Sequence, residues 1–261
     1  MSKPYSWALV ARKGNGEKIM NHDGVWMLES RHKFLSYIKK RQFKLMSLPS
    51  ELRHEILKYL PEDTYIGVYL PGHRGMVPTG VELPVTARAG DKLLRQETIM
   101  ITIEQTTFAI HSGPGNASFQ NWLGDVDLRL TSKTYVTGFD AVKSLAFPYF
   151  SRFPHASLAP ATPNSDIELM LSCRQVEQVS MVWVAQELVA DDAATGQQGP
   201  KTVERLRKEY RLDRMLGLRK LRTLTLVRRG AGNSTALDDL AAWFRANMSG
   251  VDGQSIQVVL Q

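Results

Sequence analysis

The chain has 261 residues, of which 43% are hydrophobic and 23% charged, and a formal net charge of +7. This is globular composition, and the absence of any run of about 18 apolar residues excludes a membrane-spanning helix. A single cysteine, Cys173, excludes an intramolecular disulfide and suits a reducing compartment, so a cytoplasmic or nuclear location is expected.

The first residues, Met1 to Trp7, lack the apolar core of a signal peptide. The positive charge sits at the same end. Residues 1–60 carry 12 Lys/Arg against 5 Asp/Glu, whereas residues 61–261 carry 21 of each. A basic segment attracts nucleic acid or an acidic protein surface, but a solvated face is the simpler reading. Lys39-Lys40-Arg41 between Tyr37 and Phe43 offers charge and stacking surface without a recognisable nucleic-acid module, so nucleic acid stands only as an alternative partner.

In chain order, Trp7 to Val10 reads as a short strand, followed by loose loop to Gly24. Residues 25–43 read as a basic helix on the spacing of Leu28, Leu35 and Ile38. A short helix over 49–60 follows. Pro71 to Gly90 is rich in Pro and Gly and reads as a long connecting loop. Three segments result: a basic N-terminal segment (1–42), a helix with its Gly/Pro-rich connection (43–90), and a βα domain (91–261).

The βα domain alternates. Helix is expected from Asp91 to Ile103, strand from Thr106 to His111, and a short helix from Ser118 to Leu123. Strands are expected at Val142–Phe147, Gln178–Ala185, Leu221–Val227 and Ser255–Leu260. Helices between them run from Asp166 to Cys173 with Asn164 or Ser165 as cap, from Thr202 to Leu216, and from Thr235 to Asn247. Residues 151–165 and 190–200 read as long loops, with Asp191 and Asp192 solvated in the second. This alternation predicts an α/β (or α+β) fold with a mostly parallel sheet and right-handed crossovers. The strand starts recur roughly every 34 to 43 residues, which would fit an irregular, degenerate leucine-rich-repeat-like solenoid.

The segment from Leu48 to Leu60 has the clearest local signals. Pro49 suits the first position of a helix, where its missing N–H costs nothing. Glu51 complements the positive end of the helix dipole, Lys58 sits in the last turn, and Pro61 stops the helix. Leu52, Ile56 and Leu60 recur at i, i+4 and i+8 with Leu57 alongside, and Leu48 can fold back as a staple. About three turns of helix are not stable alone, so this one must pack on something.

These residues carry a resemblance. Leu48-Pro49-x-Glu51-Leu52-Arg53-x-x-Ile56-x-x-x-Leu60 resembles the start of an F-box, in the version common in fungal F-box-like proteins. A second, looser resemblance runs through Arg95-Gln96-Glu97, Thr107-Phe108-Ala109-Ile110 and Asn121-Trp122-Leu123. The resemblance implies a Skp-type adaptor of a cullin–RING ubiquitin ligase as partner. It makes Leu48, Pro49, Leu52, Ile56, Leu57 and Leu60 the adaptor-binding residues, and leaves the rest of the chain to select an unknown protein target. The apolar face points either outward to an adaptor or inward to the chain's own βα domain.

No Walker loop, nucleophile elbow, zinc-protease helix or Cys-x-x-Cys is present. Ser112-Gly-Pro-Gly115 lacks the lysine of a phosphate loop and reads as a turn. Six histidines show no metal spacing, and Cys173 reads as a small core residue. The sequons at Asn116, Asn233 and Asn247 read as chance matches without a secretory signal. Arg228 and Arg229 close a strand, and in parallel sheets ligands gather at the strands' carboxyl ends, so both are candidate partner contacts. The expected function is therefore a non-enzymatic interaction adaptor needing no cofactor or metal. The alternatives are an F-box-like protein without ligase role, or nucleic-acid binding through the basic segment.

Overall fold

A computed structural model describes residues 8–9, 17–21, 24–28, 45–61, 65–69, 77–78, 81, 83–131, 135–152, 163–191, 198–231, 235–249 and 255–261. The chain divides into two compact units, Met1–Arg53 and His54–Gln261.

In the first unit, strands β1 (Ala8–Leu9), β2 (Glu17–Asn21) and β3 (Gly24–Leu28) form an antiparallel sheet in that order. This corrects two expectations. The segment before Gly24 holds a strand rather than loop only, and the expected helix over 25–43 begins as β3. β3 pairs with β2 along its whole length, Glu17 with Leu28 to Asn21 with Gly24, and this antiparallel pairing outweighs the sparse helical spacing of Leu28, Leu35 and Ile38. Residues 29–44, including Lys39-Lys40-Arg41, lie outside the described residues.

The second unit is built on six parallel strands: β4 (Tyr65–Val68), β5 (Thr107–Ile110), β6 (Ser144–Phe147), β7 (Gln178–Val184), β10 (Thr223–Arg229) and β11 (Gln257–Leu260). Each is hydrogen-bonded to the next in that sequence. The fold is thus α/β, and its main sheet is wholly parallel. β4 precedes the Pro71–Gly90 passage, so the sheet starts before the expected beginning of the βα domain. A separate hairpin, β8 (Val189–Asp191) with β9 (Gln198–Pro200), occupies the two ends of the expected 190–200 loop and places Asp191 in a strand.

The connecting helices are α2 (Lys92–Gln105), α3 (Gly113–Asp125), α4 (Ser165–Ser172), α5 (Val203–Tyr210) and α6 (Thr235–Asn247). Their starts are set by short polar side chains. Asp91, Ser112, Asn164 and Thr202 each accept a hydrogen bond from a first-turn N–H. The expected turn at Ser112–Gly115 is instead the first turn of α3, with Pro114 where its lost N–H is harmless. The helix expected over 202–216 stops at Tyr210. Arg211 takes the left-handed conformation (φ 57), and a 3-10 turn, Leu212–Gly217, continues the chain.

Right-handed crossovers, the rule for parallel strands, would put the connections between successive neighbours on one face of the sheet. Burial agrees. Ile66, Phe108, Leu145, Val179, Leu224 and Val258 form one cross-sheet row, and all are buried. Phe108 meets Phe119 and Trp122 of α3, with ring centroids 4.8 and 6.3 Å apart. Each such side chain contributes about 1.5–3 kcal/mol on leaving water. The alternate residues line the other face, and their rows read Tyr65, Thr107, Ser144, Gln178, Thr223, Gln257 and then Gly67, Ala109, Ala146, Ser180, Thr225, Val259. Neither row contains a charge.

Candidate docking site

The expected helix over 49–60 is observed as α1 (Ser50–Leu57), prolonged by turns in which Tyr59 N donates to the Ile56 carbonyl and Leu60 N to the Leu57 carbonyl. It starts after a 3-10 turn, Leu45–Ser47. Arg53 N donates to the Pro49 carbonyl, and the Arg53 guanidinium donates to the Leu48 carbonyl. These bonds tie the entry of the helix to its first turn and satisfy part of its orphan backbone.

The distribution of side chains around α1 is inverted. Leu52 is 53% exposed, Ile56 39% and Tyr59 79%, while Arg53 is 7% exposed and Leu57 1%. Leu52, Ile56 and Tyr59 lie at i, i+4 and i+7, which is one stripe of a helix. An ordinary surface helix buries such a stripe and exposes its arginine. Here His54 approaches the buried Glu97 of α2, Nε2 to Oε1 3.6 Å, and Leu57 is buried next to it in sequence. Of the residues singled out in the sequence, Leu52 and Ile56 are therefore exposed together, as is Pro49. Leu48 and Leu60 are half-buried, and Leu57 is a core residue. Tyr59 was missed. Its signal was the i+3 step from Ile56, as available in the sequence as the i+4 step that selected Leu60.

A second cluster stands at the carboxyl ends of the first three sheet strands. Tyr69 stacks on His111 with ring centroids 4.1 Å apart, and His111 meets Tyr149 edge-on at 5.6 Å. Gly67 permits this, because a Cβ there would come within 2.4 Å of the Tyr69 ring. Burial lowers the basicity of His111 from its ordinary value and favours the neutral imidazole. The Ser112 hydroxyl donates to the Tyr69 carbonyl at 2.6 Å and accepts from Gly115 N at 3.0 Å. The Gly-Pro-Gly run thus seats α3 against β4, which accounts for its glycine without a ligand.

Arg228 and Arg229 are exposed at the carboxyl end of β10, in register with Trp183 and Val184. β10 is four places from β4 in the sheet, roughly 19 Å at about 4.8 Å per strand, but only two from β6, so the two arginines stand on the same sheet end as the Tyr69 cluster, nearer its Tyr149 side. Among the described residues, no group of three His, Cys, Asp or Glu side chains is placed to hold a metal ion, and no helix is long and apolar enough to cross a membrane. Cys173 is buried, which pushes its thiol well above the usual range and keeps it protonated. Asn116 is buried with its Nδ2 on Asp166, so its amide is not offered to solvent as a sequon would require.

No protein-family model, curated protein or solved structure matches the chain.

Proposed function

We propose that the chain is a non-enzymatic interaction adaptor that uses α1 as its docking element. One observation carries the reading: α1 exposes its apolar stripe, Leu52, Ile56 and Tyr59, and buries Arg53 and Leu57. Holding leucine and isoleucine in water costs about 1.5–3 kcal/mol each relative to burial, which a docked partner would recover. The resemblance of Leu48–Leu60 to an F-box names the partner as a Skp-type adaptor of a cullin–RING ligase. The exposed Arg228 and Arg229 are then the contacts left for a protein target.

A second reading is favoured by the segment that follows. An F-box continues directly into two further helices, whereas α1 is followed by β4. An interaction protein could use the same helix for a different partner and stand outside any ligase.

Co-purification with a Skp adaptor at micromolar concentration separates the two. Capture that is lost in Leu52→Asp/Ile56→Asp supports the ligase reading. A wild-type chain that captures no adaptor removes the ligase and leaves the second reading. Circular dichroism of the double variant is the control, and because both side chains are exposed the fold is expected to survive.

A further inference from the structure

The two edges of the parallel sheet are finished differently. At one edge, Gln257 N donates to the Arg222 carbonyl and Gln261 N to the Leu226 carbonyl, so the odd residues of β11 face β10 and the even ones face outward. The outward carbonyl of Val258 is taken by the Arg245 guanidinium at 3.0 Å. A charged side chain thus covers that edge, one of the ordinary ways of preventing strands from pairing between molecules.

Among the described residues, the β4 edge has no such cover. His111 N donates to the Val68 carbonyl, so the even residues of β4 face β5, and the backbone groups of Tyr65 and Gly67 and the N–H of Tyr69 face outward. The Tyr69 carbonyl accepts from Ser112, but among the described residues nothing pairs the outward N–H and C=O of Tyr65 and Gly67. The segment reads Tyr65-Ile66-Gly67-Val68-Tyr69, without charge or proline, and its two tyrosines are 58% and 54% exposed.

The segment is also symmetric about Gly67. Turned end for end, it sets Tyr65 against Tyr69 and Ile66 against Val68, residues of matching kind. A two-fold axis through Gly67 sets residue 65 of one copy against residue 69 of the other, so the symmetry pairs tyrosine with tyrosine and isoleucine with valine. We propose that the β4 edge is a homodimer contact, in which two copies of the chain pair antiparallel along residues 65–69 with the two-fold axis at Gly67. The outward groups fix the register. Gly67 of each copy exchanges both hydrogen bonds with its counterpart, and the Tyr65 carbonyl accepts from the Tyr69 N–H of the other copy, the Tyr69 carbonyl staying with its own Ser112. Gly67 at the centre leaves the space above it to the Tyr69 ring, and the tyrosines form aromatic cross-strand pairs on the uncharged face. The two central strands then make one continuous twelve-stranded sheet.

This contact is independent of the α1 docking reading and is tested on the chain alone. Sedimentation velocity of the full chain between about 1 and 200 µM, a range that small interfaces populate, is expected to show a species of twice 29.4 kDa growing with concentration. Tyr65→Pro places a ring methylene where the outward N–H stood, in the path of the second strand and at the first residue of an edge strand, where proline is tolerated, and is expected to be monomeric while still capturing any α1 partner. Tyr65→Cys/Tyr69→Cys is expected to form a covalent dimer on mild oxidation, since a hydrogen-bonded antiparallel pair sets Cα atoms about 5.5 Å apart, within disulfide range. A wild-type chain that stays monomeric across the range, whether or not another protein's strand occupies the edge, overturns the proposal. So does a dimer that survives Tyr65→Pro, or an oxidised double-cysteine variant with no covalent dimer.

Discussion

Asn116 Nδ2 donates to Asp166 Oδ1 at 2.6 Å, which joins the first turns of α3 and α4 across 50 residues of sequence. The bond favours the carboxylate, but burial outweighs it, and the Asp166 pKa is pushed up from 3.8 to about 6. The native state therefore holds a proton that the unfolded chain has already lost. Stability is fully present below pH 3.8 for this group, declines as pH rises through about 6, and is then flat, a loss of at most ~3 kcal/mol. Asp166→Asn keeps an acceptor for Asn116 and cannot ionise. It is expected to raise the melting temperature at pH 7.5 and leave it unchanged at pH 4. Equal shifts at both pH values would remove burial of the charge as the cause.

The contrast around α1 has a stability signature. Leu57→Ala empties a buried position and is expected to cost about 2–5 kcal/mol. Leu52→Ala and Ile56→Ala touch exposed side chains and are expected to stay within about 0.5 kcal/mol. Urea unfolding of the three variants checks the assignment, and a large loss in Leu52→Ala would mean that the stripe is covered.

Tyr210 is held at both ends. Its hydroxyl donates to the Ser151 carbonyl at 2.8 Å, its own carbonyl accepts from Asn164 Nδ2 at 3.1 Å, and its ring meets Trp183 at 4.9 Å. Tyr210→Phe keeps the ring and leaves a buried carbonyl without its donor. The expected cost is about 1–3 kcal/mol with an unchanged dependence on denaturant.

The Gly-Pro-Gly run separates steric from conformational need. A Cβ on Gly115 would stand 3.1 Å from the Val68 carbonyl oxygen and 3.3 Å from that of Tyr69, both backbone atoms that cannot swing aside. Gly115→Ala is expected to destabilise by about 1–3 kcal/mol. Gly113 faces open space, so Gly113→Ala is expected to be neutral or slightly stabilising. Thermal unfolding of the pair tests the seating of α3 on β4.

Most elements were legible because their signals are local. Thr235–Asn247 and Gln178–Val184 follow from apolar period and caps alone. β4 was missed because Tyr65–Val68 is four residues long and bounded by Gly/Pro-rich sequence, so its strand character comes from pairing with β5. β3 was misread because a strand depends on its partner β2, which the spacing of Leu28, Leu35 and Ile38 does not report.

By itself the sequence determined the α/β alternation, helix starts near Asp91 and Thr202, a cap at Asn164 or Ser165, and a short amphipathic helix ahead of the βα domain. Capping and periodicity act over a few residues, so they survive without knowledge of the rest of the chain. The tertiary structure decided that successive strands are neighbours in one wholly parallel sheet, that Asn116 and Asp166 meet, and that α1 turns Leu52, Ile56 and Tyr59 to solvent. A helix's periodicity defines a stripe but not the direction in which it points. That direction is set by what packs behind it, here the buried Leu57 and the approach of His54 to Glu97.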